Sequence, residues 1–181
     1  FNRAMNLSPD LGDAYADKAI MFLLWHGDGA KAREVLNGAA QRKVGEDNPY
    51  IIRFSLMAYS SDAHYAEALN YLEHVKASVV SSQNFYFPKE LLSAQIYGYL
   101  GESRKGLASY DAARIILERD LQLHPDDTRI MSALGIAYAG LGRKDDAVRI
   151  GKKAVELLPV TREAMIGIFS DEALTEIYTM A

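Results

Sequence analysis

Cysteine is absent from the 181 residues, which removes disulfides, thiolate metal ligands and cysteine nucleophiles together and fits a reducing compartment. Proline occurs only five times, each time where a helix is read to begin or end. No apolar run approaches the ~18 residues that a membrane span requires, and no basic-apolar-small leader is read at the start. Neither a membrane partner nor a signal peptide is expected, and the cytoplasm is the expected location. Positive charge is in deficit, with 20 basic against 24 acidic residues and a net charge of -4. A phosphate backbone would meet no overall attracting field, so nucleic acid is not an expected partner. What is present in quantity is apolar side chain, 49% of the sequence, enough for a real core and too much for a disordered polymer.

The pattern is clearest from Thr128 to Pro159, TRIMSALGIAYAGLGRKDDAVRIGKKAVELLP. It reads as two amphipathic helices joined by a Gly-centred turn, and Pro159 lies 34 residues after Pro125. With Leu134-Gly135, Tyr138, Gly142, Ala147, Ala154 and Pro159 in order, the stretch resembles the tetratricopeptide repeat, a helix-turn-helix unit with a period of about 34 residues. The resemblance implies an all-α chain, a right-handed α-α superhelix of about ten helices, whose function is to hold other proteins. Repeats of the ALGIAYAGLGRKDDAV kind also resemble those of bacterial multidomain signalling proteins.

Taken in order, the chain is expected to form one solenoid over residues 1–181. Residues 1–9 read as the end of a partial repeat, with Phe1, Ala4 and Met5 on one face. Full repeats follow at 12–47, 48–82, 87–125 and 126–159. Asp47 or Asn48 caps the helix that opens with Pro49. Ser81-Ser82-Gln83-Asn84 breaks the pattern as a loop longer than the repeat needs. From Ser103 to Leu123 the second helix of the third repeat runs about two turns overlong. Residues 160–181 read as an irregular piece, VTREAMIGIFS, followed by an unpaired helix from about Asp171.

An aromatic closes each first helix: Phe22, Tyr59, Tyr97, Tyr138 and Tyr178, spaced 37, 38, 41 and 40 residues apart. A small residue then stands on each second helix, at Ala32, Ala68, Gly106 and Ala147. Two helices that cross at close range need a small side chain at the contact and a large one beside it. Four positions depart from the family pattern: Leu56 stands where a small residue is usual, Lys18 and Ser93 where a leucine is, and Gly151 where a large residue is.

Sites of chemistry are not expected. His26, His64, His74 and His124 lie far apart, and none forms the i, i+4 pair with a glutamate that a helical zinc site uses. Gly27-Asp28-Gly29-Ala30-Lys31 lacks the glycine and lysine spacing of a phosphate loop and has no strand before it. Asp126-Asp127 and Asp145-Asp146 stand at helix starts, where the helix dipole accounts for them. No enzyme activity, cofactor or metal is expected.

The resemblance implies a binding groove lined by the first helices. Here that face comprises Asp13, Ala16, Ile20 and Leu23, then Tyr50, Arg53, Met57 and Ser60, then Leu91, Gln95 and Gly98, then Arg129, Ser132, Ile136 and Ala139. A protein or peptide is the expected partner, and Arg53 and Arg129 are the residues suited to its carboxylates or rings. The family's carboxylate clamp for chaperone tails is not reproduced, because Met57, Leu92 and Ala133 stand where it carries asparagine, asparagine and a basic residue. A second expectation is a structural segment of a larger regulatory chain that forms homo-oligomers through its terminal helices. The half repeats at both ends favour that larger parent, since Phe1, Ala4 and Met5 at one end and Leu174, Ile177 and Tyr178 at the other await partners.

Overall fold

Helix starts follow the short polar side chains of the sequence. Asn48 accepts from the backbone N–H groups of Tyr50 (2.9 Å) and Ile51 (3.2 Å), Asp127 from Arg129 (3.0 Å), and Asp28 from Lys31 (2.9 Å). Each satisfies amide donors that a helix start leaves without intrahelical partners. The computed structural model describes residues 1–180, apart from the side chain of Met165. Ala181, the last residue of the expected terminal helix, lies outside the described residues.

Among the described residues the order is α1 (Asn2–Leu7), α2 (Gly12–Met21), a π turn (Phe22–His26), α3 (Gly29–Gln41), α4 (Pro49–Ser61) and α5 (Tyr65–His74). A β-hairpin follows, β1 (Val79–Ser81) and β2 (Tyr86–Pro88), and then α6 (Lys89–Tyr99), α7 (Ser103–Leu123), α8 (Thr128–Gly140), α9 (Lys144–Leu157) and α10 (Ala164–Met180). The all-α expectation holds apart from the hairpin. The overlong second helix is α7, with the expected bounds.

Three helix pairs turn in the same way. The carbonyls of Tyr59, Tyr97 and Tyr138 each accept from the amide five residues on, at His64, Glu102 and Arg143, all at 2.9 Å. The residue before each donor takes a left-handed conformation: Ala63 (φ 59°), Gly101 (φ 72°) and Gly142 (φ 73°). This is the helix C-terminal geometry that favours glycine, so the aromatic series marks the last turn of each first helix. The first pair has one residue more between its aromatic, Phe22, and its left-handed Gly27. The extra residue widens the last turn into the π turn, and the bond to the Phe22 carbonyl comes from Asp28, six residues on, at 3.0 Å.

The chain divides into two compact units, Phe1–Ser78 and Val79–Ala181. In the first, α2, α3, α4 and α5 pack in succession, and α2 also packs on α4. Its core is Tyr15, Ala16, Ala19, Ala32, Leu36, Ala39, Val44, Ile51 and Ala58. In the second, α8 lies against α7, α9, α10 and β2, and every residue from Ile130 to Ala139 is buried.

Two expectations about connections are corrected. The stretch read as a loop around Ser81–Asn84 is the tip of a hairpin in which Val79 pairs with Pro88, Val80 with Phe87 and Ser81 with Tyr86. Its side chains Val80 (2% exposed) and Phe85 (3%) are buried, and Tyr86 and Phe87 pack against the core of the second unit. The irregular piece expected up to Ser170 is helical from Ala164, so α10 is about two turns longer than read.

Positions 79 apart correspond between the units: α4 and α8 start at Pro49 and Thr128, and α5 and α9 at Tyr65 and Lys144. Two of the departures from the family pattern meet in this correspondence. In the first unit Leu56 and Leu72 are both large and buried; in the second the same places hold Gly135 and Gly151. A Cβ on Gly151 would lie 2.8 Å from Ile177 Cδ1 and 3.0 Å from Leu174 Cδ1, and one on Gly135 would collide with Ile177 Cδ1. The glycine pair leaves a slot, and α10 fills it with Ile177, which is fully buried. Ile177 is therefore not the unpartnered apolar residue expected of the last helix, whereas Tyr178 is 51% exposed.

Candidate protein-binding face

The residues expected to line a groove fall into two groups. Asp13 and Ile20 on α2, and Tyr50, Arg53 and Met57 on α4, belong to the first unit, where α2 and α4 pack side by side. Asp13 accepts from Asn48 Nδ2 at 2.8 Å, which ties the start of α2 to the cap of α4. Ile20, Tyr50, Arg53 and Met57 are half-buried, and the Tyr50 and Phe54 rings lie 6.0 Å apart. The spacing i, i+3, i+7 of Tyr50, Arg53 and Met57 sets them along one stripe of α4.

Gln95, Arg129 and Ile136 are placed differently. Gln95 Nε2 donates to Glu176 Oε1 at 2.8 Å, joining α6 to α10. Ile136 is 2% exposed and Ala139 4%, so this stretch of α8 presents no surface in the second unit. Arg129 donates from Nη1 to the Ser82 carbonyl (2.6 Å), and from Nε and Nη2 to the Asp127 carboxylate (3.0 and 2.6 Å). The guanidinium selected as a peptide-gripping group fastens the hairpin tip to the start of α8. Tyr86 strengthens the same corner: its hydroxyl donates to Asp120 Oδ2 at 2.7 Å, and burial together with that carboxylate pushes the phenol up to about 12.

Burial tends to raise the Asp127 carboxyl, but the hydrogen bonds and charge of Arg129 outweigh it and hold the group below its ordinary value. A depressed carboxyl contributes stability that is fully present above the unfolded value of about 3.9 and is lost as pH falls through the folded value. Arg129→Glu should therefore lower the stability of the second unit by about 2 kcal/mol, the scale of a charge-assisted hydrogen bond, through loss of the forked pair and the Ser82 contact. Urea denaturation at pH 7 checks it. In the variant, the part of the acid-induced loss that comes from Asp127 should also shrink, with only the backbone cap bonds left to hold its carboxyl low.

One exposed group was not selected from sequence. Leu24 is 69% exposed and Trp25, the single tryptophan, 79%. Both lie in the π turn that ends α2. In sequence they follow directly on the last turn of α2, which carries Ile20. The signal was the interval of five from Phe22 to Gly27, where the other aromatics stand four before their turn residue. Among the described residues, no group of three or more His, Cys, Asp or Glu is placed to hold a metal, and no helix is long and apolar enough to cross a membrane.

No protein-family model matches the chain. A curated relative, "Protein CTR9 homolog" of Arabidopsis thaliana, is 26% identical over 112 residues, which is 61% of this chain and 10% of that protein. The chain thus spans about a tenth of the length of the relative. Among solved structures, "MamA 41-end from Desulfovibrio magneticus RS-1" is 16% identical with a TM-score of 0.44, covering 93% of this chain and 94% of that one. "MamA RS-1 ArsTM double mutant" is 16% identical with a TM-score of 0.43, covering 93% of each. In their succession of helix pairs, their shared aromatic-anchored turn and their small residues at helix crossings, both units of this chain are tetratricopeptide-like.

Proposed function

We propose that the chain is a protein-interaction scaffold in the cytoplasm, and that its binding face is the first-helix side of the first unit. Asp13, Ile20, Tyr50, Arg53 and Met57 contribute to that face, with Leu24 and Trp25 as its apolar anchor. The observation that carries the reading is the exposure of Leu24 and Trp25 in the π turn that continues α2. Tryptophan is the residue most enriched among those that dominate protein–protein binding energy, and water normally disfavours holding one out. The partner is an amphipathic peptide or protein segment that seats an apolar side chain against the anchor. The second unit takes part through scaffolding, since its α8 face is filled.

Site-specific photocrosslinking in cells tests the face. A benzophenone side chain at Leu24 should crosslink to the partner, and one at Lys152 on α9 should not. With the partner so identified, Trp25→Ser should weaken binding by about thirtyfold, the equivalent of 2 kcal/mol. Arg53→Glu should weaken it too, and Lys152→Glu should leave it unchanged. Crosslinking from position 152 in place of 24 would refute the assignment.

A second reading, self-association through the terminal helices, is favoured by the exposure of Phe1 (52%), which precedes α1, and of Leu7 (74%) at its end. A concentration-dependent dimer in sedimentation, with no ligand added, separates it from the first.

A further inference from the structure

A cavity of about 300 Å³ opens in the first unit between α3 and α5, with α4 as its floor. It lies on the second-helix side and contains none of the residues of the proposed protein-binding face. Its walls are apolar, from Leu36, Ala40, Val44, Ile51 and Val75, but its depth is not. Ser55 (5% exposed) and Tyr71 stand there within hydrogen-bonding reach of each other, and burial holds the Tyr71 phenol above its ordinary value, so it remains a protonated donor. The Tyr59 ring forms a third side, 6.0 Å from the Tyr71 ring and tilted by 44°.

The corresponding places in the second unit show what this position needs for packing alone. Seventy-nine residues on, Ser55 becomes Leu134 and Tyr71 becomes Ile150, while Tyr59 is retained as Tyr138. There the Tyr138 hydroxyl is taken by Glu118 at 2.8 Å, and Leu134 and Ile150 belong to the core. An aliphatic pair thus serves the fold at this crossing. The first unit has a hydroxyl pair lining the cavity instead, bonded to each other, and each hydroxyl keeps capacity for a further hydrogen bond.

The lip of the cavity carries two cations, Arg33 and Lys76, and two anions, Glu46 and Asp47. Arg33 is committed to Asp62 Oδ2 and to the Ala58 carbonyl, both at 2.6 Å, and Lys76 meets Glu46 at 3.4 Å across the mouth. A charged ligand would gain little at a lip whose charges balance. The volume is that of the smaller ligand sites, and such sites combine apolar walls with a few convergent polar groups. We propose that this cavity binds a small, neutral, flat aromatic molecule bearing a hydroxyl. The ring lies against Tyr59 and Tyr71, and the hydroxyl exchanges hydrogen bonds with Ser55 and the Tyr71 phenol.

The test uses the whole chain and 2-naphthol, which is neutral at pH 7 and reports its surroundings by fluorescence. Saturable binding of one equivalent is expected. Ser55→Leu with Tyr71→Ile, the pair found in the second unit, should weaken it at least tenfold. Because that double variant alters the core, Ala40→Trp provides an independent check: Ala40 is exposed on the wall, and a large side chain there fills the space without disturbing packing. It should weaken binding at least tenfold with an unchanged melting temperature, and Lys153→Trp, at the corresponding hollow of the second unit, should leave binding as it was. Non-saturable binding, or equal affinity in Ala40→Trp and the unaltered chain, would overturn the proposal.

Discussion

Gly135→Leu should lower the stability of the second unit by about 3 kcal/mol, the upper part of the range for overpacking, and its melting temperature by roughly 10 °C or more. A Cβ at that position already collides with Ile177 Cδ1 and lies 3.3 Å from both the Ala147 carbonyl and Ile150 Cγ2. A helix backbone cannot retreat as a side-chain tip can, so α8 and α9 must separate or α10 must leave. A leucine stands at the corresponding place of the first unit, Leu56, 79 residues earlier, and is buried there. Leu141→Ala, at a half-buried turn position, should cost far less. Scanning calorimetry of the two variants checks the register. Because the collision runs through Ile177, combining Gly135→Leu with Ile177→Ala should return part of the loss, a coupling that two independent sites would not show.

Much of this arrangement is legible in the letters, and the illegible parts share a cause. Helix pairs are local: a cap such as Asn48, an aromatic such as Tyr97 and a left-handed glycine such as Gly101 lie within a few residues of the bonds they set. Their positions followed from spacing together with the repeat resemblance, with Asp47 and Asn48 as alternative caps. The hairpin escaped because Val79-Val80-Ser81 and Phe85-Tyr86-Phe87 are each too short to show a period, and Ser82, Gln83 and Asn84 between them read as plain loop. The start of α10 escaped for a different reason. VTREAMIGIFS reads as irregular and contains Gly167, a residue of low helix propensity, yet a Cβ there would stand 2.9 Å from both the Leu158 carbonyl oxygen and the Val160 nitrogen. Glycine is at 167 so that the helix can pass close to the preceding segment.

The candidate face shows the same division. The stripe Tyr50, Arg53, Met57 on α4 was fixed by helical period, and its counterpart Arg129, Ser132, Ile136 on α8 by the same period. Only long-range packing separates their fates. Neighbours distant in sequence, β2 and α10, lie on α8, and no pattern within α8 announces them. Arg129 illustrates the point: its letter and register suggested a free cation, while its actual partner, the Ser82 carbonyl, lies 47 residues away.

Ile177→Ala should be the most damaging single truncation in α10, costing about 3 to 4 kcal/mol within the range found for buried isoleucine. The side chain is fully buried and sits where two glycines, Gly135 and Gly151, provide no atoms of their own, so its removal leaves a void that neither backbone can close. The burial of Ile177 leads to a specific pattern of amide hydrogen exchange. In the unaltered chain, residues around Ala173 and Ile177 should exchange slowly, at a rate set by opening of the second unit as a whole. In Ile177→Ala, α10 should exchange quickly while α6 and α7 remain protected, because they pack on each other. The open α8 and α9 surface would then present the slot left by the glycine pair, and Gly151→Leu, damaging in the unaltered chain through Leu174 and Ile177, should become stabilising in the Ile177→Ala background. A Gly151→Leu effect of the same sign and size in both backgrounds would show that the slot is not what holds α10 in place.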